Sequence, residues 1–102
     1  MDNETIAARI ERRRRQILVH SILYYKLDRP LIEDHTYDAW AQELIRLQTE
    51  HPEISEGVAY HRDAFRNFTS STGYDLPLDD PRATAVAHDL ITHHERTATN
   101  DR

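Results

Sequence analysis

Five side chains able to hold a flat, polar ligand lie within a short stretch of this sequence: Tyr24, Tyr25, Asp34, Tyr37 and Asp38. Asp34 and Asp38 are four residues apart with Tyr37 between them, so on a helix all three share roughly one face near its start. The tyrosine pair closes the preceding apolar segment, and a short link would bring the two clusters together. Tyrosine faces stack on planar heterocycles. Aspartates accept hydrogen bonds from ribose hydroxyls or an amide, and they attract a ring that carries positive charge. The same residues also have an architectural use, with Asp34 as a helix cap, Asp38 in the favourable first turn, and the tyrosines as wedges between helices. Composition alone leaves both readings open.

Little else in the chain has the spacing that chemistry needs. Lys26 is the only lysine, and it stands before Leu27, Asp28 and Arg29. Gly57 and Gly73 form no loop that could cradle a phosphate. His88, His93 and His94, with Asp89 nearby, do not reproduce the spacing of a helical histidine pair, and no His-Glu-x-x-His occurs, so no metal is expected. No serine sits in a nucleophile elbow, and no carboxylate pair is set by spacing for glycoside hydrolysis. Arg12, Arg13, Arg14 and Arg15 form the one basic cluster. Consecutive residues fan around a helix, so the four read either as a solvated surface whose stems cover the core edge or as a patch for a phosphate or an acidic partner. The net charge is -5, with -1 in residues 1–51 and -4 in residues 52–102, which argues against direct nucleic-acid binding.

The elements that must position these groups follow from the period of the apolar residues. A chain of 102 residues has room for a single domain. Hydrophobic residues make up 38% and charged residues 30%, and two glycines with four prolines are too few for a turn-rich sheet protein. The absence of cysteine fits a reducing compartment. No apolar run approaches the roughly 18 residues of a membrane span, and there is no signal-peptide pattern, so a cytoplasmic protein with no membrane association is expected.

The fold class expected is all-α, a small bundle of about four helices built on an antiparallel helical hairpin. Ile6, Ile10, Ile17, Leu18, Ser21, Ile22 and Tyr25 recur at helical spacing and predict a first helix over residues 5–27, capped by Asp2 or Thr5 with Glu4 at its positive end. Asp28-Arg29-Pro30 ends it. Residues 34–50 form the second helix, with Asp34 as N-cap and Tyr37, Trp40, Ala41, Leu44 and Leu47 as its apolar stripe. Arg46 pairs with Glu43 or Glu50 on its outer side. A third helix is predicted from Ile54 to Thr69, with Val58, Phe65 and Phe68 inward. After an irregular stretch in which Leu76 and Leu78 plug the core, a fourth begins near Asp79 or Asp80 with Pro81 in its first turn. Ala83, Val86, Ala87, Leu90 and Ile91 would be its buried face. The chain thus divides into a hairpin over 5–53, additional helices over 54–92 and a frayed tail over 93–102.

The run from Tyr24 through Lys26-Leu27-Asp28-Arg29-Pro30 to Tyr37-Asp38, followed by Glu43-Leu44 and His51-Pro52-Glu53, resembles domain Ia of the NAD-dependent bacterial DNA ligases. The resemblance spans about residues 18–53, half the chain. In those ligases this domain closes over the nicotinamide mononucleotide half of NAD during self-adenylation. Carried over by position, the resemblance implies that Tyr24 and Tyr25 frame the nicotinamide, Tyr25 standing where many members have histidine. Asp34, Tyr37 and Asp38 would complete the pocket. Glu33 stands where the family often has a small capping residue, which would shift the cap onto Asp34. The Lys-x-Asp-Gly of the adenylation domain, the oligonucleotide-binding fold, the zinc-site cysteines and the helix-hairpin-helix repeats have no counterpart here. The resemblance therefore implies a non-catalytic, stand-alone module that binds NAD or nicotinamide mononucleotide, or that assists a separate ligase core. The alternative is a scaffold, such as a phage accessory protein, whose hairpin serves a homodimer or another protein partner.

Overall fold

Thr5 opens the first helix in the way a β-hydroxyl should: its Oγ1 accepts a hydrogen bond from the Ala8 amide at 3.0 Å. The computed structural model describes residues 5–100, with side chains to residue 97, so the expected roles of Asp2 and Glu4 and the end of the expected tail lie outside the described residues. Helix α1 runs Ile6–Ser21 and continues as a π-helical turn, Ile22–Lys26. Asp28 then adopts a left-handed conformation (φ 54) that aspartate tolerates, and Pro30 follows. Helix α2, Asp34–Glu50, returns antiparallel to α1. The pairs Ser21–Tyr37, His20–Trp40 and Arg14–Gln48 record that direction, since numbers rise on one helix as they fall on the other.

Glu33, not Asp34, occupies the N-cap of α2; its side chain makes no capping hydrogen bond, and its carbonyl receives the Thr36 and Tyr37 amides. Asp34 is therefore the first helical residue, and capping does not consume its carboxylate. Of the two carboxylates expected to pair with Arg46, Glu50 does so and Glu43 is used elsewhere. It bridges α2 to α1, taking Arg9 at 2.9 Å and Arg13 at 2.8 Å, while Arg46 turns to Glu50 at 3.8 Å. Burial pushes Glu43 up in pKa, but the two guanidiniums outweigh it and leave a net lowering.

The third helix differs most from the sequence reading. In place of one helix over 54–69 there are two short ones, α3 (Pro52–Gly57) and α4 (Arg62–Phe65), separated by extended Val58 and by His61 in the left-handed region (φ 44). The cause lies on α1. Arg14 is only 1% exposed, and all five of its N–H groups are engaged. Nε donates to Gln48 Oε1, Nη1 to the carbonyls of Val58 and Tyr60, and Nη2 to the carbonyl and hydroxyl of Ser55, all at 2.9–3.0 Å. The Val58 and Tyr60 carbonyls, which a continuous helix would pair internally, are instead turned onto this cation, and the Ser55 carbonyl is shared between it and the Val58 amide. Val58, Phe65 and Phe68 still point inward as the apolar period required.

A 3-10 turn at Gly73–Asp75 precedes α5, Pro81–Asn100. Asp80 caps α5 through its Oδ1 to the Ala83 amide (2.9 Å) and holds His61 with its other oxygen at 2.7 Å. Helix α5 extends well past residue 93, so the expected frayed tail is helical as far as Asn100, and Glu95 pairs with Arg29 at 2.9 Å. Ala83 and Ala87 are buried, whereas Val86 faces outward, a correction to the expected stripe. One apolar cluster joins α1, α2, the middle segment and α5, with Ile10, Ile17, Leu18, Ile22, Leu23, Leu44 and Phe65 among its most enclosed members. The described residues are all helix, turn or irregular segment, with no strand.

Arg14→Met would leave four carbonyl or amide oxygens facing a dry site without their donor, at a cost of about 3–5 kcal/mol. Arg15→Ala removes only an exposed pair with Glu11 and a ring contact with Tyr60, at about 1 kcal/mol or less. Urea unfolding of the two variants beside the parent chain checks that contrast.

Candidate functional site

The π-helical turn at the end of α1 has a local consequence: it widens the helix and re-aims the two residues it carries, Tyr24 and Tyr25. Both rings are exposed, 48% and 40%, and they pack edge to face with centroids 4.8 Å apart. The first turns of α2 bring Asp34, Tyr37 and Asp38 up to them. All five residues line one half-open cleft of about 200 Å³. Pro30, Leu31 and Ile32 from the connecting loop form its apolar side.

Tyr37 is the fixed member of the group. Its Oη shares a hydrogen bond with the buried Ser21 hydroxyl at 2.8 Å, which ties α2 to α1 at the base of the cleft. Burial raises the Tyr37 pKa, partly offset by that hydrogen bond. Burial likewise raises Tyr25, with the neighbouring Tyr24 and Tyr74 and the carboxylates of Asp34 and Asp38 acting in the same direction. Both phenols therefore stay neutral at physiological pH. No lysine or arginine is among the residues lining the cleft, so its fixed charge is the two carboxylates. Such a site favours a cationic or hydrogen-bond-donating ring over an anion.

Three contributors were not assigned from the sequence. His20 lines the cleft one turn before Tyr24, a position the helical period would have revealed. Its ring packs edge-on to Trp40 at 5.4 Å, and its Nδ1 is the one buried side-chain nitrogen or oxygen among the described residues without a hydrogen-bond partner. Burial lowers its pKa, keeping it neutral. Ser21 falls in the apolar stripe of α1 by its spacing, which does not signal that its hydroxyl anchors Tyr37. Ser70 comes from the middle segment, and nothing local to it signals the contact.

The arginine cluster does not form a common surface. Arg14 points inward, Arg13 lies against Glu43 and over the Trp40 ring (5.3 Å), and Arg12 and Arg15 are exposed. The expected patch for an anionic partner thus loses two of its four members to internal contacts. No group of histidine, aspartate and glutamate suited to a metal ion occurs among the described residues. No helix among them is long and apolar enough to cross a membrane.

A model of the DNA ligase-like, N-terminal NAD+-binding domain family matches residues 3–57, more than half of the chain. The chain belongs to that family. Its similarity to the DNA ligase of Bacillus velezensis is 48% identity over 54 residues, covering 53% of this chain and 8% of the relative. For the DNA ligase of Roseiflexus sp. the figures are 44% over 54 residues, 53% and 7%. The DNA ligase of Desulfitobacterium hafniense strain Y51 is 52% identical over 49 residues, covering 48% and 7%. The chain therefore spans less than a tenth of the length of these relatives. No solved structure matches it. The ligase-family region holds His20 to Asp38 and so nine of the ten residues lining the cleft; Ser70 lies outside it.

A histidine kept neutral by burial destabilises the folded chain once the unfolded chain can take a proton. Stability should therefore fall as pH drops from about 7 to about 5.5, through the ordinary imidazole range. His20→Phe keeps the edge contact with Trp40 and has no proton to bind, so urea titrations across that window should show a flatter profile for the variant.

Proposed function

We propose that this chain binds the nicotinamide–ribose part of a nicotinamide nucleotide in the cleft between the α1 end and the α2 start, and that these 102 residues carry out no nucleotidyl transfer themselves. The observation that carries this reading is the convergence of Tyr24, Tyr25, Asp34, Tyr37 and Asp38 on one cleft in a member of an NAD+-binding domain family. The residues fit that group. Two tyrosine rings offer faces for a planar heterocycle, two carboxylates suit a positively charged ring and the hydroxyls of a ribose, and a buried imidazole nitrogen lacks a partner. With no cation lining the cleft, the phosphate of a bound mononucleotide lies outside it and contributes little.

Nicotinamide mononucleotide should bind with a dissociation constant of roughly 0.1–10 mM, because a half-open site leaves much of the ligand wet. Nicotinamide riboside should bind about as well, and adenine nucleotides worse. Asp38→Asn keeps shape but removes a charge facing the ring, and should weaken binding several-fold while leaving the helical spectrum unchanged. Amide shifts on titration should cluster at the five cleft residues. Silence there at about 10 mM ligand, together with a tight dimer in sedimentation, would instead favour the assembly scaffold, for which the exposed rings of Tyr24, Tyr25 and Tyr74 are the natural surface.

The second half of the reading concerns Lys26. It is exposed on the π-helical turn and lacks the Lys-x-Asp-Gly setting in which the ligase lysine works. No covalent adenylate should form with NAD or ATP. Intact-mass measurement after incubation checks this, and an AMP adduct abolished by Lys26→Ala would overturn it.

A further inference from the structure

One residue lining the cleft comes from outside the ligase-family region. Ser70 lines the cleft directly, and Gly73 lies buried beneath the tyrosines. A Cβ at Gly73 would stand 2.5 Å from Tyr37 Oη, 3.1 Å from Tyr25 Cε2 and 3.3 Å from Ser21 Oγ. Glycine is required here by proximity, since its φ is not positive. Next in sequence, Tyr74 packs edge-on to Tyr25 with centroids 6.2 Å apart.

The segment making these contacts is held at both ends. Phe68 and Leu76 are buried on either side of it. Between them, the Thr69 amide donates to Thr72 Oγ1 at 2.9 Å, and the Thr72 amide returns to the Thr69 carbonyl at 3.1 Å. The 3-10 turn then closes with the Asp75 amide on the Thr72 carbonyl at 3.0 Å.

We propose that residues 70–74 form a built-in second wall that positions Tyr25 and Tyr37 and sets how a planar ligand enters the cleft. The inference rests on the nicotinamide reading above and adds what the ligase-like hairpin alone lacks. On a bare hairpin the Tyr25 ring would be free to change rotamer, and each ligand would have to order it on binding. Here Tyr74 holds the ring at its edge, and the bare backbone of Gly73 lets Tyr37 keep its hydrogen bond to Ser21. Ser70 leaves a hydroxyl at the rim, where a ligand group could use it. Tyr74 and Gly73 act through the two tyrosines and are positioning residues.

The test is titration of the full chain with nicotinamide mononucleotide, followed by NMR and compared among the parent, Tyr74→Ala, Gly73→Ala and Asp38→Asn, with a thermal melt of each. In the parent, the amides of Ser70, Gly73 and Tyr74 should shift along with those of the five cleft residues. Tyr74 is 58% exposed, so Tyr74→Ala should fold as the parent does and still bind about three- to tenfold more weakly. Gly73→Ala should displace the Tyr25 and Tyr37 ring signals and weaken binding by at least about tenfold. If Tyr74→Ala binds with parental affinity, the 70–74 amides stay silent and Asp38→Asn loses binding, the wall is overturned and the nicotinamide site stands. If the parent itself fails to bind, both are overturned.

Discussion

The five hydrogen bonds of Arg14 decide how the second half of the chain meets the first. A guanidinium withdrawn from water must recover its solvation, and no carboxylate among the described residues touches this one. It recovers it from the backbone. Carbonyls of Ser55, Val58 and Tyr60, together with the Ser55 hydroxyl and the Gln48 amide oxygen, surround it completely, and Glu56 contributes at longer range. The cost falls on helix geometry, because a carbonyl turned toward a side chain is not aligned with the helix axis. Hence α3 ends at Gly57, the chain passes His61 in a left-handed conformation, and α4 is a single turn. Gln48 extends the tie by donating its own amide to the Phe65 carbonyl at 3.1 Å. Removing the charge without supplying donors would release the whole 55–65 segment.

That segment leads to the wall of the cleft. The chain leaves α4 through the paired rings of Phe65 and Phe68, 5.4 Å apart, and only then reaches Ser70 and Gly73. A buried cation in the middle of α1 and a cleft at its C-terminal end are thus linked by the path the backbone must take between them. The two sites differ in character. Around Arg14 the buried side-chain polar groups are all paired; around Tyr24 and Tyr25 the rings are open, the charged groups lining the cleft are carboxylates, and His20 keeps a nitrogen unpaired. Full pairing marks the first as a structural polar network, whereas the unpaired nitrogen at the second is a group that the proposed ligand would meet.

Much of this protein was legible from residue order because it depends on local periodicity. The apolar spacing of Ile10, Ile17, Leu18 and Ile22, the block at Asp28-Arg29-Pro30 and the stripe through Ala41, Leu44 and Leu47 are properties of single helices, and each lies where its period demanded. The five cleft residues were legible for a related reason. A short link between two helices leaves little freedom in how their adjoining ends meet, so residues at those ends must be neighbours. Pro81 at the start of α5 followed from its missing amide hydrogen in the same way.

What only the tertiary structure decided are the contacts made across long stretches of chain. In sequence, Arg14 is one of four consecutive arginines, and nothing local marks it as the buried one; its partners lie 34 to 46 residues away. Gly57 lies inside the expected third helix, but the reason for the break at 58–61 is carried by a different helix. Glu43 chose α1 over its own helix because two guanidiniums across the interface outweigh one alongside. The same holds for the wall: Ser70, Gly73 and Tyr74 form an ordinary turn sequence, and only the packing of that turn beneath Tyr25 and Tyr37 makes the missing side chain of Gly73 matter. Periodicity and caps are fixed by each residue's neighbours in the chain, whereas the partner of a buried charge or the neighbour of a glycine depends on the chain's path through space.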